Sequence, residues 1–150
     1  MFNKENVETE DKLKRIKVSE ESAKEQLNLF FEYYDKYDDI EDFLEAQHGE
    51  DRAVYEGTIN VVLRGIKRGK LSIEIDPSGS LKMMQITKEG AGLYYAEYEG
   101  RFKHKMKGTS EYLRMHQLLE GLLNIPIDRI KNLKKGDLDL AEALGTLFLL

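Results

Sequence analysis

The sequence predicts an α+β fold, with N-terminal helices, a small antiparallel sheet of one or two hairpins, and C-terminal helices. Three observations support this prediction. Apolar residues recur at helical spacing before residue 69 and after residue 110, they alternate with polar residues over 71–75, and a turn sequence follows at 76–80. The chain of 150 residues has the usual size of one domain. Because residues 1–17 are polar and aperiodic, we predict a flexible lead-in there and a single domain over 18–150.

Two helices are predicted in the first fifty residues. Ser19 can accept a hydrogen bond from a free backbone N–H, and Glu20 suits the positive end of the helix that follows. Asp39 can cap a second, shorter helix that stops before Gly49. The first helix carries one apolar face, formed by Ala23, Leu27, Phe30, Phe31 and Tyr34.

A longer helix is predicted over residues 51–68. Gly57 and Gly65 weaken that prediction, because each disfavours a helix interior by about 1 kcal/mol relative to alanine. Gly69 follows the basic last turn, where a left-handed glycine commonly ends a helix.

The chain then becomes extended. Residues 71–75 alternate as a half-buried strand, "DPSGS" at 76–80 predicts a tight turn, and residues 81–87 return as the partner strand. We expect a second hairpin, with Tyr94, Ala96 and Tyr98 on one face and Phe102 on the returning strand.

The last forty residues are predicted to be helical again. Ser110 caps one helix, and Pro126 suits the first turn of a short helix that ends before Gly136. Asp137 is then expected to cap the final helix, which bears Leu140, Ala141, Leu144, Leu147 and Phe148.

Composition excludes several classes of protein. The chain has no cysteine, so disulfides, thiolate catalysis and cysteine-based zinc sites are excluded. Its apolar runs are too short for a membrane span, and residues 1–18 have no signal-like apolar stretch. We therefore expect a cytoplasmic protein.

The net charge of −5 is unevenly distributed. Residues 1–50 carry 15 acidic and 7 basic side chains, whereas residues 51–150 carry 13 acidic and 16 basic ones. An acidic front therefore precedes a mildly basic body, and a mobile acidic arm can compete for a basic surface.

No catalytic, metal-binding or cofactor-binding motif is found, so we predict a protein that is not an enzyme. The acidic residues over 35–45 lack the ligand spacing of a calcium loop and are interpreted as a solvated face. His48, His104 and His116 have no zinc-type spacing; His104 is expected at the surface and His116 in the core. "GIKRGK" at 65–70 ends a helix, whereas a phosphate-binding loop opens one.

The basic residues leave one alternative open, a nucleic-acid-binding accessory protein that uses the basic body over 64–135. Tyr94, Tyr95, Tyr98 and Phe102 can offer stacking faces beside it. The sequence pI near 5.3 and the lack of a nucleic-acid-reading motif argue against this alternative. Its basic members are Arg64, Lys67, Arg68, Lys70, Arg101, Lys103, His104, Lys105, Lys107, Lys131, Lys134 and Lys135.

Two apolar faces are candidate partner-binding surfaces. The aromatic face of the first helix is wider than one stripe, and the leucine-rich "LGTLFLL" has no polar tail after it. The latter either docks into the core of the chain or binds a partner, and association of the chain with itself stays open. The candidate partner-binding residues are Phe30, Phe31, Tyr34, Leu144, Leu147 and Phe148.

The order of these signals resembles the tail assembly chaperones of tailed bacteriophages. The resemblance lies in "VVLRGIKRGKLSIEIDPSGSLKM" at 61–83 and "LLEGLLNIPIDRIKNLKKGDLDLAEALGTLFL" at 118–149, and it covers residues 54–150. Residues 1–50 have no counterpart in it. The closing helical pattern of the family corresponds here to Gly121, Leu122, Pro126, Ile130, Leu133 and Asp137.

The resemblance implies a non-enzymatic phage protein without a cofactor. Its expected partner is the tape measure protein, or the tail tube subunits that assemble around it. The expected location is the cytoplasm of the host cell.

Overall fold

The computed structural model describes residues 13–104, 106, 108 and 110–150. Over these residues the fold is α+β, as predicted. Helices precede and follow one small antiparallel sheet along the chain. The elements are α1 (Glu20–Tyr33), α2 (Ile40–Glu45), α3 (Gly49–Lys67), β1 (Leu71–Ile75), β2 (Leu81–Ile86), β3 (Gly92–Tyr95), α4 (Gly100–His104), α5 (Glu111–Leu123), α6 (Ile127–Lys131) and α7 (Lys135–Phe148).

The two predicted caps in the first half are confirmed. The Ser19 hydroxyl accepts a hydrogen bond from the Ser22 N–H at 3.1 Å, at the start of α1. The Asp39 carboxylate accepts one from the Asp42 N–H at 2.8 Å, at the start of α2. These side chains satisfy backbone donors that have no acceptor within the helix.

Both glycines that disfavour α3 lie inside this helix. A Cβ atom on Gly65 would lie 2.9 Å from both methyl carbons of Leu140, so the missing side chain lets α3 pack closely on α7. Gly57 has no such neighbour within 4 Å. Gly69 follows the helix with φ of 74°, which confirms the left-handed stop.

The sheet has the order β1-β2-β3, and its first hairpin agrees with the prediction. Ile73 lies opposite Met83, and Asp76 Oδ1 accepts hydrogen bonds from the N–H groups of Ser78 and Ser80 in the turn. β2 also pairs with β3, with Met84 opposite Tyr94, and residues 87–91 connect these two strands.

The predicted second hairpin is wrong after Tyr95. The Ala96 N–H donates to the Leu122 carbonyl oxygen of α5 at 2.7 Å, so the chain leaves the sheet there. Phe102 lies on α4 instead of a returning strand, and its buried ring stacks on Tyr98 with centroids 6.1 Å apart. Packing against α5 therefore overrides the extended pattern that the sequence suggests.

The C-terminal helices follow the prediction except at Asp137. Ser110 caps α5 by accepting from the Leu113 N–H at 3.3 Å, and Asn124 ends this helix in a left-handed conformation. Pro126 immediately precedes α6. The predicted cap at Asp137 is wrong, because α7 begins at Lys135 and the Asp137 side chain is buried within its first turn.

Residues 13–18 lie against the domain, although residues 13–17 belong to the predicted flexible lead-in. The Leu13 N–H donates to the Gly90 carbonyl oxygen at 2.8 Å, and the Val18 N–H donates to that of Lys67 at 3.1 Å. Between them, the Ile16 backbone passes over Gly69, where a Cβ atom would lie 2.5 Å from the Ile16 nitrogen. Residues 1–12 of that lead-in lie outside the described residues.

Candidate functional site

The six predicted partner-binding residues are brought together, but mostly inside the protein. Phe30 and Phe31 are fully buried on α1, as are Leu144 and Leu147 on α7. The Phe30 ring meets the Phe148 ring edge-on at 5.1 Å, which joins α1 to α7. The leucine-rich segment docks into the core of its own chain, which is one of the two outcomes that the sequence left open. Of the six candidate residues, Tyr34 alone is not buried.

Tyr34 and Phe148 nevertheless reach an opening, which we call the aromatic pocket. Its volume is about 320 Å³. The Tyr34 and Tyr98 rings both contact the Phe148 ring edge-on, at 5.7 and 6.2 Å, and the Tyr34 hydroxyl accepts a hydrogen bond from the Tyr98 N–H at 3.1 Å. The pocket is lined by Tyr34, Lys36, Tyr98, Gly100, Phe148, Leu149 and Leu150.

Among the described residues, Lys36 is the one cationic side chain that lines the aromatic pocket. Its ammonium donates a hydrogen bond to the Leu150 carbonyl oxygen, and partial burial lowers the pKa of Lys36. Burial also raises the pKa of Tyr34, so the charged forms of both side chains are disfavoured here. A lysine ammonium has three donors, so a second acceptor can bind beside Leu150.

The aromatic pocket can therefore hold an apolar side chain against three rings and place a polar group beside Lys36. The sequence identified Tyr34 and Phe148, but it gave no indication of Lys36. Lys36 follows the end of α1, where Asp35 is a non-glycine residue with φ of 51° and the Lys36 N–H donates to the Phe31 carbonyl oxygen at 3.1 Å. An aspartate after a helix predicts a positive φ only weakly, since aspartate is also common in ordinary turns.

A buried polar network lies at the other end of α7. Lys70 Nζ lies 2.8 Å from Asp137 Oδ1, and Asp137 Oδ2 accepts a hydrogen bond from the Lys88 N–H at 2.8 Å. The Gln85 amide donates to the Asp137 carbonyl oxygen at 2.9 Å and accepts from the Tyr95 hydroxyl at 2.6 Å. This network fastens the start of α7 to the sheet.

Beside this network, a groove of about 160 Å³ runs between α3 and α7, and we call it the basic groove. Arg64 and Arg68 stand one helical turn apart on its α3 side, and both are exposed. No described residue forms an ion pair with either arginine. The groove is lined by Val61, Arg64, Gly65, Arg68, Lys70, Gly136, Asp139 and Leu140.

The basic clusters of the sequence are only partly gathered. The basic groove contains Arg64, Arg68 and Lys70, whereas Arg101 lines a separate groove of about 550 Å³ beside α5. Lys67 turns away toward Glu20, at 3.5 Å. The side chains of Lys103, His104, Lys105 and Lys107 lie outside the described residues, and so does the expected surface position of His104.

Part of the acidic cluster and His116 make polar contacts within the fold. Asp39 caps α2, and Asp42 accepts a hydrogen bond from the Asp38 N–H at 3.1 Å. His116 is buried, as predicted, with Nε2 lying 3.2 Å from Glu142 Oε2. Within the described residues, no group of three or more histidine, aspartate or glutamate side chains could hold a metal ion.

No protein-family model, curated protein or solved structure matches this chain. In the part of the chain that the structure describes, no helix combines the length and the apolar character needed to cross a bilayer.

Proposed function

We propose that this protein is a non-enzymatic tail assembly chaperone of the phage type, which binds an apolar segment of a tape measure protein or tail tube subunit at the aromatic pocket. It acts in the host cytoplasm. The observation that carries this proposal is the order and spacing of the signals over 61–83 and 118–149.

The packing of those two segments on each other supports the proposal. Gly65 of the first segment lets Leu140 of the second approach closely, and the pair of Lys70 and Asp137 joins them again 2.8 Å apart. The resembling parts of the sequence therefore form one structural unit, although about thirty-five residues separate them in the chain. A resemblance whose residues pack together in one structural unit supports the proposal better than one whose residues are scattered over the surface.

The aromatic pocket supplies a binding surface for this function. Large aromatic rings around a partly buried opening are typical of the points where protein partners insert a side chain. Tyr34, Tyr98 and Phe148 supply the rings, and Lys36 supplies a donor at the same opening. An amphipathic helix with one large apolar residue and a nearby acidic residue fits this arrangement.

The test is binding to a long helical fragment of the tape measure protein from the same genome. We expect the purified chain to retain the fragment in a pull-down and to reduce its aggregation, followed by light scattering. Leu150→Asp should weaken both effects, because it places a carboxylate in the apolar wall of the pocket. Val54→Asp is the matched control, since Val54 is 64% exposed on α3 and lies outside the pocket lining.

Two outcomes contradict the proposal at different levels. Absence of binding and of aggregation suppression by the unchanged protein would remove the chaperone function. Equal binding by Leu150→Asp and Val54→Asp would leave the function standing but move its surface away from the aromatic pocket. Circular dichroism of both variants shows whether each one is folded.

A further inference from the structure

The basic groove has no role in the proposed binding of an apolar segment. It lies between α3 and α7 and is not part of the aromatic pocket, with which it shares no lining residue. Its cationic side chains come from two parts of the chain. Arg64 and Arg68 lie at the end of α3, and Lys70 immediately precedes β1. A function for this groove therefore has to be argued from its own charges and shape.

The charges of the groove leave two positive side chains without a counterion among the described residues. Lys70 is neutralised by Asp137 at 2.8 Å, and Asp139 is neutralised by Lys135 at 3.0 Å. Arg64 and Arg68 remain, so the local surplus is two positive charges. Guanidinium groups bind tetrahedral and planar oxyanions through paired N–H donors, and a phosphate monoester carries nearly two negative charges at neutral pH.

The shape of the groove suits a group of that size. Since one water molecule occupies about 30 Å³ in the liquid, the volume of about 160 Å³ accommodates a tetrahedral anion with part of its hydration shell. Gly65 and Gly136 line it without side chains, and a Cβ atom on Gly136 would lie 3.6 Å from Lys70 Nζ. Gly136 belongs to the first turn of α7, whose N-cap Lys134 gives no side-chain hydrogen bond to the backbone.

We propose that the basic groove binds the dianionic phosphate of a phosphate monoester. Arg64 and Arg68 hold its oxygens from α3, and the first turn of α7 faces it from the opposite side. A carboxylate offers only two oxygens and one charge, and a phosphodiester offers one charge, so neither matches the surplus of two. The groove therefore favours a terminal phosphate over the backbone of a nucleic acid.

The experiment is a titration of the full-length ¹⁵N-labelled protein with glycerol 3-phosphate at constant ionic strength. We expect saturable shifts of the Gly65 and Gly136 amide signals, and no comparable shift for Gly57, which lies on α3 outside the groove lining. Arg64→Gln and Arg68→Gln should each weaken binding about tenfold, because each removes charge-assisted hydrogen bonds. Arg52→Gln is the matched control, since Arg52 is on the same helix and pairs with Glu56 at 2.9 Å.

The pH dependence identifies the form of the ligand. A phosphate monoester has a second pKa of about 6, so its dianion fraction, and hence its apparent affinity, should rise about fourfold from about pH 5.5 to about pH 7.5. The charged groups at the groove are Arg64, Arg68, Lys70, Lys135, Asp137 and Asp139, and its described lining contains no histidine. Sulfate is a dianion at both pH values and should bind with unchanged affinity.

Three results would overturn the proposal. The first is the absence of saturable shifts at Gly65 and Gly136. The second is equal affinity of Arg64→Gln, Arg68→Gln and Arg52→Gln. The third is equal binding of dimethyl phosphate, a monoanionic diester, or of acetate, because a site for nucleic acid or for acidic protein segments would then explain the groove better.

Discussion

Lys70 Nζ lies 2.8 Å from Asp137 Oδ1, and the Asp137 side chain is 1% exposed. Lys70 immediately precedes β1, and Asp137 belongs to the first turn of α7, so this ion pair connects the sheet to the last helix. Asp137 also accepts the Lys88 N–H, and its backbone carbonyl accepts the Gln85 amide. Asp137 is therefore held by two contacts at its buried carboxylate and by one at its backbone carbonyl.

The first prediction concerns Asp137→Ala. Removal of the carboxylate leaves the Lys70 ammonium without its counterion and the Lys88 N–H without its acceptor. Because Lys70 is largely buried, we expect the free energy of unfolding to fall by about 3 kcal/mol. Urea denaturation followed by circular dichroism measures this change.

The matched control for that experiment is Asp139→Ala on the same helix. Asp139 pairs with Lys135 at 3.0 Å, but the side chain of Lys135 is 89% exposed. An exposed pair of this kind contributes about 0.5 kcal/mol or less. Equal losses in the two variants would show that burial gives the pair of Lys70 and Asp137 no special weight.

The second prediction compares two glycines of α3. Gly57→Ala should stabilise the protein by about 0.5 to 1 kcal/mol, because no atom lies within 4 Å of the new methyl group and alanine favours a helix. Gly65→Ala should instead destabilise it by about 1 kcal/mol, since the methyl group would lie 2.9 Å from the buried Leu140 side chain. Thermal unfolding of both variants measures the difference. A stabilising Gly65→Ala would mean that α3 and α7 can separate at little cost.

The third prediction tests the docking of residues 13–18. Gly69 and Gly79 both have positive φ, of 74° and 88°, so alanine is strained at either position. Only at Gly69 would the methyl group meet another backbone, that of Ile16. We expect Gly69→Ala to cost at least about 1 kcal/mol more than Gly79→Ala in urea unfolding. Equal costs would indicate that the segment moves away from Gly69 at no energetic cost.

Local signals in the sequence predicted most of the fold. Ser19, Asp39 and Ser110 cap helices as expected, and Gly69 stops α3, because each role depends on a few neighbouring residues. Asp137 has the same local appearance as a cap. Its actual role depends on Lys70, which lies sixty-seven residues earlier in the chain, and no local pattern contains that information.

The candidate site was less predictable for the same reason. Phe30 was a candidate partner-binding residue because the apolar face of its helix is wider than one stripe, and for Leu144 the sequence left core docking and partner binding open. In the fold, α3 and the sheet cover the apolar face of α1, and Phe148 of α7 contacts Phe30 there. Phe30 and Leu144 are both fully buried. Tyr34 remains partly open because α1 ends beside it, and Lys36 joins it after a residue with positive φ, Asp35.

The last prediction concerns alkaline pH and Tyr95→Phe. Burial raises the pKa of Tyr95 far above its usual value, and the nearby Asp137 carboxylate adds to the effect. Because an unfolded tyrosine ionises near pH 10 while folded Tyr95 keeps its proton, stability should fall above about pH 10, by up to about 1.4 kcal/mol per pH unit.

Tyr95→Phe removes this contribution. It also removes the hydrogen bond to Gln85, so it should lower stability by about 1 kcal/mol near neutral pH. Urea unfolding between about pH 8 and about pH 11 should show the deficit of Tyr95→Phe shrinking as pH rises through 10. A deficit that stays constant over this range would mean that Tyr95 reaches solvent before it ionises.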